Sequence, residues 1–179
     1  MRYAALLRGV NVGGKNKLPM KDLAALFEHA GCTSVTTYIQ SGNVVFTASA
    51  AIAKTLAPVI SGAIESRFGY RIPVILRTAQ QLASVIRDNP YLRDNLPQKE
   101  LHVYFLADPP AEQKIQALDP ARSLPDSFRA SGQEIYLHLP GGMGNSKLTN
   151  AWFDSKLSTV STARNWATVL QLCQMAEHQ

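Results

Sequence analysis

Apolar residues recur along the chain at two spacings, and the switches between them mark its elements. Residues 3–8 form a nearly unbroken apolar run, the pattern of a buried strand. A glycine-rich loop follows, and then Leu23, Leu26 and Phe27 fall on one stripe of a helix that Pro19 opens and Gly31 closes. Residues 35–40 and 43–47 are β-rich runs on either side of Ser41-Gly42, which predicts a hairpin. A second helix is expected over about 51–68, with Pro58 kinking or delaying it, and a strand over 72–77. The order β-α-β-β-α-β is that of a split βαβ, or ferredoxin-like, unit.

The second half echoes this order as β-α-β-β-α, without repeating the residues. A helix over about 79–88, a strand over 99–107, a short helix over 111–118 and a hairpin of 127–131 with 134–139 lead to two helices, about 146–157 and 163–177. Trp166, Val169, Leu170 and Cys173 give the last helix its buried stripe. The expected fold is therefore α+β: two ferredoxin-like α/β plait units packed together with extra C-terminal helices, the first over 1–79 and the second over 80–179.

Composition narrows the class. At 179 residues with 46% apolar and 17% charged positions, the chain has enough material for a core and too little charge for disorder. Cys32 and Cys173 are far apart and in no C-x-x-C pair, so neither a disulfide framework nor a zinc site is expected. The N-terminal apolar run is broken at Arg8, and no later run reaches membrane-spanning length, which predicts a cytoplasmic protein without membrane partners. A net charge of +5 permits nucleotide or nucleic-acid partners without requiring them.

Four segments carry a resemblance. They are Leu6-Leu7-Arg8-Gly9-Val10-Asn11-Val12-Gly13-Gly14-Lys15-Asn16, Tyr38-Ile39-Gln40-Ser41-Gly42-Asn43-Val44-Val45-Phe46, Ser146-Lys147-Leu148-Thr149-Asn150-Ala151 and Thr162-Ala163-Arg164-Asn165-Trp166. With them the chain resembles an uncharacterised, mainly bacterial family, domain of unknown function 1697. The resemblance implies two ferredoxin-like plaits and no activity, and the fold itself does not supply one.

The chemistry is concentrated in the first of these segments. Gly9 to Asn16 nearly satisfies G-x-x-x-x-G-K-[ST], but Asn16 replaces the magnesium-binding hydroxyl, the helix starts late at Pro19, and a hairpin follows where an ATPase needs βα units. A looser anion site fits better. Lys15 and Lys17 precede one helix, while Lys147 and Arg164 are expected in the first turns of two others, where a cation opposes the helix dipole and joins the exposed N–H groups in attracting an anion. Gly141-Gly142-Met143-Gly144-Asn145 is a second flexible loop of the same style, expected at the sheet end that matches the Gly9 loop. The Ser41-Gly42 turn is expected at the opposite end from Lys15.

The ligand-binding set is thus Arg8, Asn11, Gly13, Gly14, Lys15, Lys147, Arg164 and Asn165, for a phosphorylated small molecule or nucleic acid, with no cofactor and no metal. An open sheet face bearing His102, Tyr104, Tyr136 and His138 is a further place where bases could stack or a second domain could pack. Catalytic residues are not identifiable: no nucleophile elbow, H-E-x-x-H or carboxylate pair is present. An enzyme acting on a phosphorylated small molecule and a structural protein with no ligand stay open as alternatives. The sequence specifies no oligomeric state.

Overall fold

The computed structural model describes residues 1–177; His178 and Gln179, the end of the expected second unit, lie outside them. It divides into two units, Met1–Ala83 with the stretch from Gln171 onward, and Ser84–Leu170. Each contains a four-stranded antiparallel sheet. The architecture is α+β, two ferredoxin-like plaits.

In the first unit the elements are β1 (Arg2–Leu7), α1 (Met20–His29), β2 (Thr33–Tyr38), β3 (Asn43–Thr47), α2 (Ala50–Phe68) and β4 (Val74–Thr78), followed by α3 (Ala79–Arg87), which continues into the second unit. The strand order is β2-β3-β1-β4. Tyr3, Ala5 and Leu7 share one face of β1 and pack with Leu23 and Phe27 of α1 and Leu56, Ile60 and Ile64 of α2. Pro58 does not end α2: the buried stripe on either side of it holds the helix through the lost hydrogen bond. Ser49 caps the start of α2 through Ile52 N–H, and Gly69 ends it in the left-handed region.

The second unit runs β5 (Leu101–Leu106), α4 (Glu112–Gln116), β6 (Ser127–Ser131), β7 (Glu134–His138), α5 (Asn150–Leu157) and β8 (Ser161–Asn165), with strand order β6-β7-β5-β8 and α6 (Trp166–Glu177) after it. Tyr104, Leu106, Ile135 and Leu137 pack with Trp152, Phe153 and Leu157 of α5. β8 is a correction to the sequence reading, which placed a helix start there. Ser-Thr-Ala-Arg-Asn has no apolar alternation, and its strand exists because β5 supplies a full antiparallel ladder, Leu106↔Ser161 to His102↔Asn165.

Candidate functional site

The expected site residues fall in both units: Arg8, Asn11, Gly13, Gly14 and Lys15 in the first, Lys147, Arg164 and Asn165 in the second. The first group lies in the loop after β1. There the topology corrects the expectation that Ser41-Gly42 is remote. β1 and β2 run the same way through the α1 crossover, and β3 returns antiparallel between them, pairing Leu6 with Asn43. Leu7 N–H donates to the Gly42 carbonyl at 2.8 Å, so the turn abuts the glycine-rich loop.

Two asparagines hold that loop closed. The Asn11 side chain donates to the carbonyls of Leu18 at 2.9 Å and Gln40 at 2.8 Å, while its oxygen accepts Leu18 N–H at 2.8 Å. Asn16 donates to the Gly9 carbonyl at 3.1 Å. Between them Lys15 N–H returns to the Val12 carbonyl across Gly13-Gly14, whose φ values of +58° and +74° are those of a tight hairpin turn. Val10 and Leu18 anchor both ends in the core, and Arg8 stands half-buried at the base. The N–H groups of Asn11, Lys15 and Leu18 therefore point inward, and the loop is a projecting hairpin rather than a phosphate cradle. Lys15 and Lys17 are exposed on it, and neither ammonium has a partner among the described residues. Next to the hairpin, Ile39 is half-exposed at φ +47°, a conformation that a β-branched residue rarely adopts.

In the second unit, Arg164 and Asn165 have structural partners. Arg164 lies inside β8 opposite Val103, 8% exposed, donating to the Thr162 hydroxyl at 2.9 Å and the Ala163 carbonyl at 2.7 Å. Burial pushes its pKa down to about 10. Asn165 accepts Thr168 N–H at 2.8 Å and caps α6. The first unit repeats the device: Arg77, buried in β4 opposite Ala4, precedes Thr78, which exchanges capping bonds with Gln81. Arg164 is therefore not in a helix's first turn. Nor is Lys147, since α5 begins at Asn150 under the Thr149 cap.

Lys147 lies in a cleft of about 410 Å³ between 121–126 and the loop 141–147. Its N–H donates to the Ser123 hydroxyl at 2.9 Å and its carbonyl accepts Arg122 Nε at 3.1 Å. The Arg122 guanidinium carbon lies 5.0 Å from the Trp152 ring centroid, a cation–π contact. Both cationic side chains are exposed and neither has an acidic partner among the described residues. Asp126, 6% exposed, lines the same cleft and accepts the Ser123 hydroxyl at 2.8 Å. Arg122 was not apparent in the sequence, because it stands in an aperiodic stretch between two prolines. The loop 141–147 follows β7 at the end of its sheet where β5 begins, whereas the Gly9 loop leaves its own sheet where β1 finishes. The two loops do not occupy matching ends.

The aromatic face also divides. The register pairs His102 with Leu137 and Tyr104 with Ile135, so Tyr104 belongs to the α5 core and Tyr136 to the opposite face. Both tyrosines are buried, so neither ring is open for a base to stack on. His138 pairs with Glu100 at 2.9 Å, while His102 lies across the sheet from it. Among the described residues, no group of three or more His, Cys, Asp and Glu is placed to hold a metal, and no helix is long and apolar enough to cross a membrane. Cys32 and Cys173 are buried free thiols, both with pKa raised by burial.

A family model for a protein of unknown function, DUF1697, matches residues 1–136. The chain belongs to that family. Within the matched stretch, the segments around Asn11 and Gly42 are the two halves of one interlocked loop; those around Lys147 and Arg164 lie beyond it. Among solved structures, the fold is similar to that of the conserved bacterial protein SP0830 from Streptococcus pneumoniae, with a TM-score of 0.73 and 21% identity over 99% of this chain and 98% of that one. No curated protein matches.

Proposed function

We propose that this family member is a binding module for a phosphorylated ligand, with Lys147 and Arg122 as the groups that take the phosphate. The observation that carries the reading is the cleft of about 410 Å³ lined by Lys147 and by Arg122 over the Trp152 ring, neither of which forms an ion pair among the described residues. A cleft of this volume suits a small ligand, and a guanidinium fork binds phosphate oxygens in pairs. Asp126, which accepts the Ser123 hydroxyl, and Asn145, which donates to the Gly141 carbonyl, line the rest of the cleft. Asn11, Arg164 and Asn165 act as supports in this reading, and Gly13-Gly14 forms the turn that carries Lys15. The hairpin lysines Lys15 and Lys17 add contacts only for a ligand with many phosphates.

Isothermal titration of the full chain with inorganic pyrophosphate, a mononucleotide and a single-stranded oligonucleotide tests this. Arg122→Ala/Lys147→Ala is expected to lose the first two. Lys15→Ala/Lys17→Ala is expected to leave them intact and lower the salt slope for the oligonucleotide by about 1.4. Unchanged pyrophosphate and nucleotide binding in the first variant overturns the assignment.

A further inference from the structure

A second cleft, of about 340 Å³, lies elsewhere in the second unit, lined by Arg87, Asp88, Asn89, Pro90, Arg93, Asp94 and Arg129. Its charges are unevenly spent. Arg87 closes a two-pronged pair with Asp88, at 2.8 and 2.9 Å, and also donates to the Ser84 hydroxyl. Arg93, Asp94 and Arg129 are exposed and have no ion-pair partner among the described residues. Arg129 is steadied by the Tyr91 ring, 5.8 Å from its guanidinium carbon. With Arg87 and Asp88 cancelling, two guanidinium groups face one carboxylate, and the cleft carries a single surplus positive charge.

Asn89 is the unusual wall of this cleft. It is 3% exposed, and its side-chain nitrogen is buried with no hydrogen-bond partner. Its orientation is fixed, because the other end of the amide must be oxygen to accept Tyr91 N–H at 3.0 Å. The buried end is therefore a donor. A buried donor without an acceptor is rare, and a partner is strongly favoured where one can enter.

We propose that this cleft binds a small monocarboxylate. One carboxylate oxygen accepts from the Arg129 guanidinium fork and the other from Asn89 Nδ2, which is closed to solvent and has to be uncovered as the ligand enters. A planar fork matches a planar carboxylate, and one surplus positive charge matches one negative charge. A phosphate dianion would instead meet Asp94 with its second charge.

The test follows the Asn89 side-chain NH2 resonance of the full chain by NMR, assigned by its loss in Asn89→Asp. That variant keeps the oxygen that caps Tyr91 while removing the donor. Titration with N-acetylglycine is expected to shift the resonance saturably, and uncharged N-acetylglycinamide is expected to leave it in place. Arg129→Gln is expected to weaken the effect at least tenfold, whereas Arg122→Ala/Lys147→Ala leaves it unchanged. The proposal is overturned if N-acetylglycine does not move the resonance, if the amide analogue moves it equally, or if inorganic phosphate saturates it at lower concentration.

Discussion

The Asn11 side-chain amide donates to the Gln40 carbonyl at 2.8 Å, joining the loop after β1 to the turn before β3 across 29 positions of sequence. Asn11 sits at φ +55°, and the same side chain also bonds both the N–H and the carbonyl of Leu18. One residue therefore closes the hairpin and docks it on the neighbouring turn. This junction ties down the base of the Lys15 hairpin.

Asn11→Ala is expected to destabilise the chain by about 2–3 kcal/mol, since it strands Leu18 N–H and places alanine in the left-handed region. Asn11→Asp keeps the acceptor and loses the two donated bonds, and is expected to fall between. Urea unfolding of the three proteins ranks them.

Gly42 and Gly14 both have positive φ, yet they differ in space. A Cβ on Gly42 would stand 2.8 Å from Leu7 Cβ and 3.0 Å from Val10 Cγ2, while one on Gly14 meets nothing within 4 Å. Gly42→Ala is expected to cost about 2–4 kcal/mol and Gly14→Ala about 1 kcal/mol. Equal losses in thermal unfolding would contradict the close approach of turn and loop.

Ile39 holds an unfavourable backbone on an exposed position. Ile39→Asn is expected to stabilise by about 1 kcal/mol, raising Tm by about 2–4 °C. A calorimetric scan measures it, and a lower Tm would show that the Ile39 side chain is needed where it stands.

His102 titrates with a visible sign. Burial lowers its pKa below 6.5, with the Glu100 carbonyl opposing weakly. The folded state therefore resists protonation more than the unfolded one. The contribution is complete above pH 6.5 and is lost as pH falls through the lowered value. The drop in Tm between pH 7.5 and 5.5 is expected to be smaller in His102→Gln than in the parent. Arg164 behaves differently: burial pushes its folded pKa down to about 10, so its pH-dependent contribution changes only above that value and is flat from pH 6 to 9.

The element order of the first unit was legible because Leu23 and Phe27, and Val44 and Phe46, advertise their periods, and because Ser41-Gly42 marks its turn. Strand direction was legible too. A crossover through α1 makes β1 and β2 parallel, so the turn after β2 and the loop after β1 share one end, and the expectation of opposite ends misassigned a direction that the β-α-β-β-α-β order already contains. β8 was hidden: Thr162 and Arg164 are buried through pairing with β5, and their own polarity argues against a strand. In the same way Arg164 read as a helix-terminal cation, although its position in the ladder makes it structural. Lys147 was visible, but its companion Arg122 becomes relevant only when Ser123 and Trp152 bring it alongside.

If Lys147 and Arg122 take the phosphate, inorganic pyrophosphate perturbs the backbone around them. Amide chemical shifts of the full chain, mapped during the titration, are expected to change saturably at Ser123, Asn145 and Lys147, and these changes are expected to disappear in Arg122→Ala/Lys147→Ala. Shifts concentrated at other residues, or shifts that persist in that variant, would contradict this assignment.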